Sequence, residues 1–282
     1  MDLPIYPIPE KSTQIKPLTT VMKSILLFLL LPCVQVFAQP AVYTTADAHS
    51  HNDYQQAAPF YSAYNLQYGS IEVDVYLSLN DNELYVAHTL RDVAQNRKFE
   101  EMYLKPLAEN IQKNSGNVYE DTAHKLILML DVKTDAITSI NKLIDLFMKY
   151  PAITKCPTLT IMVTGSKPHH STYGSYPSFL WFDGLLSSNY NKETLSRIAV
   201  LGENFINYSK WNGHEAIDAN EWDKLKKAVD KGHALGKKIR FWNTPDFIEG
   251  WSKLIELGVD YINTDSIKAL AEYLKKNGTR KT

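Results

Sequence analysis

Ser70-Ile71-Glu72-Val73-Asp74-Val75-Tyr76-Leu77 is the stretch on which the reading of this chain turns. Its β-branched and apolar residues specify a strand, where residues two apart leave the same face. Glu72 and Asp74 therefore project together, with Cα atoms roughly 6.5 Å apart. Such a pair is either a solvated edge or two hard oxygen donors converging on one cation, and the apolar run around it favours the second. Upstream lies His51-Asn52-Asp53-Tyr54 and downstream Val86-Ala87-His88-Thr89. Two histidines near the ends of neighbouring apolar runs supply one imidazole to accept a proton and another to donate one. Cleavage of a phosphodiester needs both acts.

Beyond this block, short apolar runs alternate with stretches of helical length, the pattern of repeated βα units. The expected strands are Val42 to His49, Ser70 to Leu77, Leu126 to Asp131, Thr158 to Thr164, Phe179 to Phe182, Ile198 to Gly202, Lys238 to Trp242 and Tyr261 to Thr264. Helices are expected over Lys105 to Lys113, Ala136 to Tyr150, Ala219 to Leu235, Asp246 to Leu257 and Ser266 to Lys276. In the third of these, Trp222, Leu225, Val229 and His233 recur at three- and four-residue steps, and Gly236 is the stop. Eight strands with intervening helices predict an α/β chain folded as a (β/α)8 TIM barrel, and the 244 residues from Gln39 to Thr282 are close to its usual length of about 250. No linker, low-complexity tract or solenoid repeat interrupts it.

Residues 1 to 38 are set apart as an upstream extension and signal peptide, leaving residues 39 to 282 as the barrel domain. Met22-Lys23-Ser24 is a short basic start, Ile25 to Leu31 is apolar, and Val36-Phe37-Ala38 is a small-residue cleavage site. The apolar stretch is short of the ~20 residues that span a bilayer. Export is therefore expected, to the periplasm or the exterior, with cleavage near Ala38 and Met22 as the more natural start. Cys33 leaves with the signal, and Cys156 alone makes no intramolecular disulfide, so the core must hold the domain. The full sequence has 30 basic and 31 acidic residues; three lysines and two acidic residues precede Gln39, which leaves a net charge of −2. That balance provides no electrostatic case for nucleic acid.

In a barrel of this kind chemistry belongs at the C-terminal ends of the strands, and polar residues of this chain collect there. His49 and His51 end the first run, Asp131 and Lys133 the third, Trp242 and Asn243 the seventh. Asp131 and Lys133 share a strand face, so an inward face brings a third carboxylate and an ammonium to one mouth; the carboxylate suits a metal and the ammonium a phosphate oxygen. Trp242 is expected as a wall of that mouth. His49 has the parity of His51 and is either substrate-facing or structural. Tyr173 to Tyr176 either covers the mouth or is an ordinary loop.

These residues resemble the blocks of a superfamily of TIM-barrel phosphodiesterases. Ser50-His51-Asn52-Asp53-Tyr54, Glu72-x-Asp74 and the Tyr-x-x-His-Thr-Leu of Tyr85 to Leu90 look like the catalytic blocks of phosphoinositide-specific phospholipase C. Leu130-Asp131-Val132-Lys133-Thr134 resembles a strand of spider-venom sphingomyelinase D, and Gly258 to Asp265 the closing strand of glycerophosphodiester phosphodiesterases. Over His49 to Lys276 the likeness is greatest to the branch containing the fungal altered-inheritance-of-mitochondria proteins and bacterial secreted relatives. The resemblance implies His51 and His88 as the catalytic pair, Asn52, Glu72, Asp74 and Asp131 as ligands of one Ca2+ or Mg2+ ion, and Lys133 as the phosphate holder. The implied partner is a phosphodiester small molecule or a phospholipid head group, with peripheral membrane contact left open. The His-Arg-Gly and Glu-Asn-Thr signatures of glycerophosphodiesterases are missing, which leaves the substrate unassigned.

Two rival readings use the same barrel. Asp47-Ala48-His49-Ser50-His51 contains an H-x-H at the end of a first strand, the zinc-binding arrangement of metal-dependent amidohydrolases, with Asp265 as the aspartate on the eighth strand. Such enzymes require histidines at the ends of middle strands, and Phe179 to Phe182 and Ile198 to Gly202 end without one. The other rival is a non-catalytic barrel that binds a head group or a glycan.

Overall fold

The computed structural model describes residues 42–278. The upstream extension, the signal peptide and its cleavage near Ala38 lie outside the described residues. Among the described residues no helix is long and apolar enough to cross a membrane.

Nine strands form one sheet: β1 (Ala48–Ser50), β2 (Ser70–Ser78), β3 (Glu83–Val86), β4 (Leu126–Val132), β5 (Leu159–Gly165), β6 (Leu180–Leu185), β7 (Ile198–Asn204), β8 (Lys238–Trp242) and β9 (Ile262–Thr264). Their order is β8-β7-β6-β5-β4-β2-β1-β9, with every pair along this path parallel, while β3 hangs antiparallel on β2. A parallel bridge between Arg240 and Tyr261 joins the two ends of that path. The eight parallel strands thus make a nearly closed barrel with helices around it, as expected for the (β/α)8 class. All eight expected strands are present, and all five expected helices start within two residues of their predicted positions, as at Lys105–Lys113, Ala219–Ala234 and Ile267–Asn277.

Alternation along the strands divides the apolar residues into two sets. Ile71, Val73, Val75, Leu128, Leu130, Ile161 and Val163 belong to the large core that includes the helices' buried residues. Ile127, Met129, Met162, Val200 and Tyr261 form a separate cluster, the packed barrel interior. Side chains that share the parity of this inner set, Glu72, Asp74 and Asp131 among them, rise from it toward the mouth. Helix ends follow ordinary capping chemistry: Asp135 accepts from the Thr138 amide, Asp218 from the Asn220 and Glu221 amides, and Gly258 closes Ile248–Leu257 in a left-handed conformation.

Two differences from expectation matter for function. Strand β1 is short, because Thr44 and Asp47 cap each other across a 3-10 turn at Thr45–Asp47. Strand β3 is an unexpected addition: the turn at Asn80-Asp81-Asn82, with Asn82 at φ 57°, folds Glu-Leu-Tyr-Val back on β2. Only four residues long, that run lacked the length of the others. It delivers His88 to the barrel mouth.

The loop after β1 is pinned by Asp53, which is fully buried. Its carboxylate accepts from Ser50 Oγ (3.0 Å), the Phe60 amide (2.6 Å) and the Tyr103 hydroxyl (2.9 Å). Asp53→Ala strands the Phe60 N–H and the Tyr103 hydroxyl in the core, at about 1–3 kcal/mol for each unsatisfied group. We expect a loss of about 2–4 kcal/mol, read as a lower urea midpoint at unchanged m-value. An unchanged midpoint would show that the loop is held by other contacts.

Candidate active site

Strands β2 and β4 pair with Asp74 opposite Asp131 and Glu72 opposite Met129. That register stacks three carboxylates: oxygens of Glu72, Asp74 and Asp131 all lie within 4.8 Å of one another. Each carboxylate is oriented through one oxygen. Glu72 Oε2 accepts from Arg240 (2.8 Å) and lies 2.7 Å from His49 Nε2. Asp74 Oδ2 accepts from the Tyr54 hydroxyl (2.8 Å) and from His88 Nδ1 (2.7 Å). Asp131 Oδ2 accepts from Lys133 Nζ (2.6 Å). Asp74 is 0% exposed, and its Oδ1 accepts no hydrogen bond, the nearest cation being Lys133 Nζ at 3.2 Å. That oxygen pairs with the Lys133 ammonium, and a hard cation would further offset the charge of three converging carboxylates. Asp131 needs Gly165 beside it, where any Cβ would come within 2.0 Å of Asp131 Oδ1.

The electrostatics fit this picture. Burial pushes the Asp131 carboxyl up, and Glu72 and Asp74 add to that rise while Lys133 opposes it. Burial alone would also raise Glu72, but the Arg240 charge and the His49 contact outweigh it and hold Glu72 well below the usual carboxylate range. Lys133 is held up, against burial, by Asp131 and Asp74.

His51 follows β1, its amide bonded to the Thr264 carbonyl of β9, and its Nδ1 donates to Asp265 Oδ1 at 2.8 Å. Burial disfavours the charged ring, but the Asp265 hydrogen bond and the charges of Glu72 and Asp265 prevail and raise its pKa. Asn52, at φ 45° in the left-handed region, turns the chain there, and its amide nitrogen lies 3.1 and 3.3 Å from the two ring nitrogens of His51. His88, its side chain 61% exposed, reaches down to Asp74 from above.

Two adjoining cavities share this centre. One, of about 580 Å³, is lined by His51, Asn52, Glu72, His88, Asp131 and Lys133, with Arg97 at its edge. The other, of about 430 Å³, has His51, Glu72 and Asp131 in common with it and adds Lys167, Asp183 and Trp242. The structure thus brings together Glu72, Asp74 and Asp131, places His51, His88, Asn52 and Lys133 around them, and puts Trp242 in the wall.

His49 does not face substrate. It is fully buried, with Nδ1 2.8 Å from Ser70 Oγ and Nε2 against Glu72 and Arg240. Burial and the Arg240 charge push its pKa down to about 3, so the ring is neutral. Equal parity with His51 misleads because β1 ends at Ser50 and His51 turns away with the loop. The same geometry removes the zinc pair of the amidohydrolase reading: both His49 nitrogens are engaged, His51 is bonded to Asp265, and the acidic group within 4.8 Å contains no histidine. Tyr173 stacks on Phe182 with centroids 3.8 Å apart, so this tyrosine packs into the core instead of covering the mouth.

Several site residues escaped the sequence reading. Arg240 has the strand parity of Trp242, a signal that was available. Asp183, which accepts from Thr164 Oγ1 at 3.0 Å and pairs with Lys167, sits in Leu-Trp-Phe-Asp-Gly-Leu with the parity of Trp181. Asp265, which entered the sequence reading only as the eighth-strand aspartate of the zinc site, instead holds His51.

With this geometry in hand, the chain can be set beside known proteins. Residues 41–150 match the AIM6-like phosphodiesterase domain. Residues 238–266 match the glycerophosphoryl diester phosphodiesterase family. Altered inheritance of mitochondria protein 6 from Eremothecium gossypii is 24% identical over 266 residues, covering 80% of this chain and 68% of that protein. The Kluyveromyces lactis protein of the same name is 25% identical over 320 residues, covering 86% and 75%, and the Arthroderma benhamiae homolog is 24% identical, covering 80% and 82%. A glycerophosphodiester phosphodiesterase crystal structure from Parabacteroides distasonis aligns at 16% identity and a TM-score of 0.48, covering 81% of this chain and 94% of that one. The AIM6-like match contains His51, Asn52, Glu72, Asp74, His88, Asp131 and Lys133. The expected resemblance to the altered-inheritance-of-mitochondria branch and to glycerophosphodiester phosphodiesterases is borne out.

Proposed function

We propose that the chain is a metal-dependent phosphoric diester hydrolase in which His51 and His88 share general acid–base catalysis. The observation that carries this reading is the convergence of Glu72, Asp74 and Asp131 within 4.8 Å at the barrel mouth, with the Lys133 ammonium against Asp74 and Asp131. These three, with Asn52 beside them, would hold a hard divalent cation, Ca2+ or Mg2+, which when bound offsets charge on the phosphoryl oxygens. Asp74 then serves two tasks through its two oxygens: Oδ2 orients His88, and Oδ1 remains for the cation. Asp265 fixes the His51 proton on Nδ1, which leaves Nε2 for the reacting oxygen. Lys133 presents its ammonium to a phosphate oxygen from the same cavity as His88. Opposite, Trp242 with Lys167 and Asp183 forms a polar-rimmed wall for one ester arm. Export rests on the sequence from Met22 to Ala38 and belongs to the same proposal.

The test is phosphorus NMR of products from a panel of phosphodiesters, with Ca2+, with Mg2+ and with EDTA. Turnover that requires one of these metals is expected; a cyclic product would assign attack to a substrate hydroxyl, an open monoester to water. No turnover of any diester with either metal would overturn the reading. Glu72→Gln removes a ligand charge without removing a histidine, so its lost activity should recover in part as metal concentration rises. Metal titration of both proteins checks this, and a variant equally inactive at all concentrations would remove Glu72 from the ligand set.

A further inference from the structure

Asp265 holds His51, and something must hold Asp265. Its side chain is 64% exposed, so packing does not fix its direction, and the backbone leaving β9 has to do so. Two side chains grip that backbone. Gln56 Nε2 donates to the Asp265 carbonyl at 2.9 Å, and Asp246 Oδ2 accepts from the Asp265 amide at 2.9 Å. The other oxygen, Asp246 Oδ1, accepts from Trp251 Nε1 at 2.8 Å. Trp251 is buried on the helix Ile248–Leu257, with its ring 5.7 Å from that of Tyr273 on Ile267–Asn277, so this donor is anchored where two helices pack. Gly250 lets the first helix come so close, since any Cβ there would lie 1.9 Å from the Pro245 carbonyl.

We infer that Asp246 is a positioning residue for His51, acting through Asp265. Asp246 lines neither site cavity, so it does not meet substrate. Two N–H donors reach it from different sides, and only a side chain with an acceptor at each end takes both. The contacts run from the Trp251 indole through the Asp246 carboxylate and the Asp265 amide to the Asp265 carboxylate and His51 Nδ1. They keep the His51 proton on Nδ1 and its Nε2 aimed at the site. A misplaced acid–base group costs rate more than binding, because the geometry of proton transfer is stricter than that of substrate capture. The inference rests on the reading of His51 as an acid–base group and names what sets that ring in place.

The test reads the ring first and turnover second. Long-range 1H–15N NMR spectra of protein labelled at histidine, taken in EDTA at alkaline pH where the ring is neutral, report which nitrogen carries the proton, and His51→Ala assigns the signal. The wild-type protein is expected to hold the proton on Nδ1, and Asp246→Ala to show a mixture with the Nε2 form, as Asp265→Ala should. An unchanged tautomer in Asp246→Ala, or a bare Nδ1 in the wild type, would overturn the inference. In turnover, Asp246→Ala should lower kcat about tenfold at unchanged KM. In the Asp265→Ala background the same change should alter kcat by less than about twofold, because the contact it supports is already gone. A full tenfold loss there as well would make Asp246 a structural residue only. Asp246→Asn, which keeps the shape and one acceptor, replaces the alanine variant where that one does not fold: the buried indole N–H claims the remaining oxygen, the Asp265 amide then meets an NH2 group, and the same outcomes are expected. If no diester is turned over at all, the reading of His51 as an acid–base group fails, while the tautomer still decides whether Asp246 sets the ring.

Discussion

His51→Ala and His88→Ala are each expected to lower kcat on a natural-type phosphodiester by about 10² to 10⁴, the usual contribution of a general acid or base. Neither ring belongs to the carboxylate group, so metal affinity should change little in either variant. The two losses should differ on a nitrophenyl diester, whose leaving group needs little protonation. The histidine that acts as acid should lose most of its effect there, and the one that acts as base should keep it. The measurement is kcat for both variants on the two substrates at saturating metal. Near wild-type turnover of the natural-type substrate by either variant would exclude that histidine from proton transfer. Asp265 gives a further handle on His51: Asp265→Asn keeps the shape and removes the charge that supports the raised His51 pKa, so it should reduce kcat without abolishing it.

Removing Arg240 should produce the largest loss of stability. Its guanidinium lies inside the barrel, donating to Glu72 Oε2 at 2.8 Å and to Asn263 Oδ1 at 3.0 Å, and it is 6% exposed. Arg240→Met keeps much of the volume but leaves the Glu72 carboxylate buried without its cation. Breaking one side of such a pair costs about 3–5 kcal/mol. In EDTA, urea unfolding should show that loss, and adding Glu72→Gln should recover part of it, since the stranded charge is then gone. A loss below about 1 kcal/mol for Arg240→Met would mean that water or a rearrangement solvates Glu72 and that the pair is not a structural element. Because Arg240 holds Glu72 Oε2, it also orients the Glu72 carboxylate, which links barrel stability to ligand geometry.

How much of this was legible differs by residue. The Glu72 and Asp74 pair was readable because strand periodicity is local and strict, and the β-branched residues around it left no other element. Asp131 and Lys133 followed for the same reason. His88 was picked out as a residue, but the strand that carries it was not: Glu83–Val86 is too short to stand out, and it exists because β2 runs past the barrel and offers an edge. His49 and His51 had identical parity and opposite fates. The difference arises after Ser50, where β1 ends and the loop through left-handed Asn52 carries His51 to Asp265, 214 residues away in sequence.

The sequence by itself determined the order of strands and helices, the inward set of carboxylates and the pair of histidines, because backbone periodicity and side-chain chemistry are properties of neighbours along the chain. Only the tertiary structure decided which of those groups meet. Register between β2 and β4 placed Asp131 level with Asp74, closure of the ring through Arg240 and Tyr261 brought Arg240 to Glu72, and the same closure left His49 beneath the site instead of in it. Those are contacts between residues far apart in sequence, set by how strands pair and how the barrel interior fills, and no local pattern encodes them.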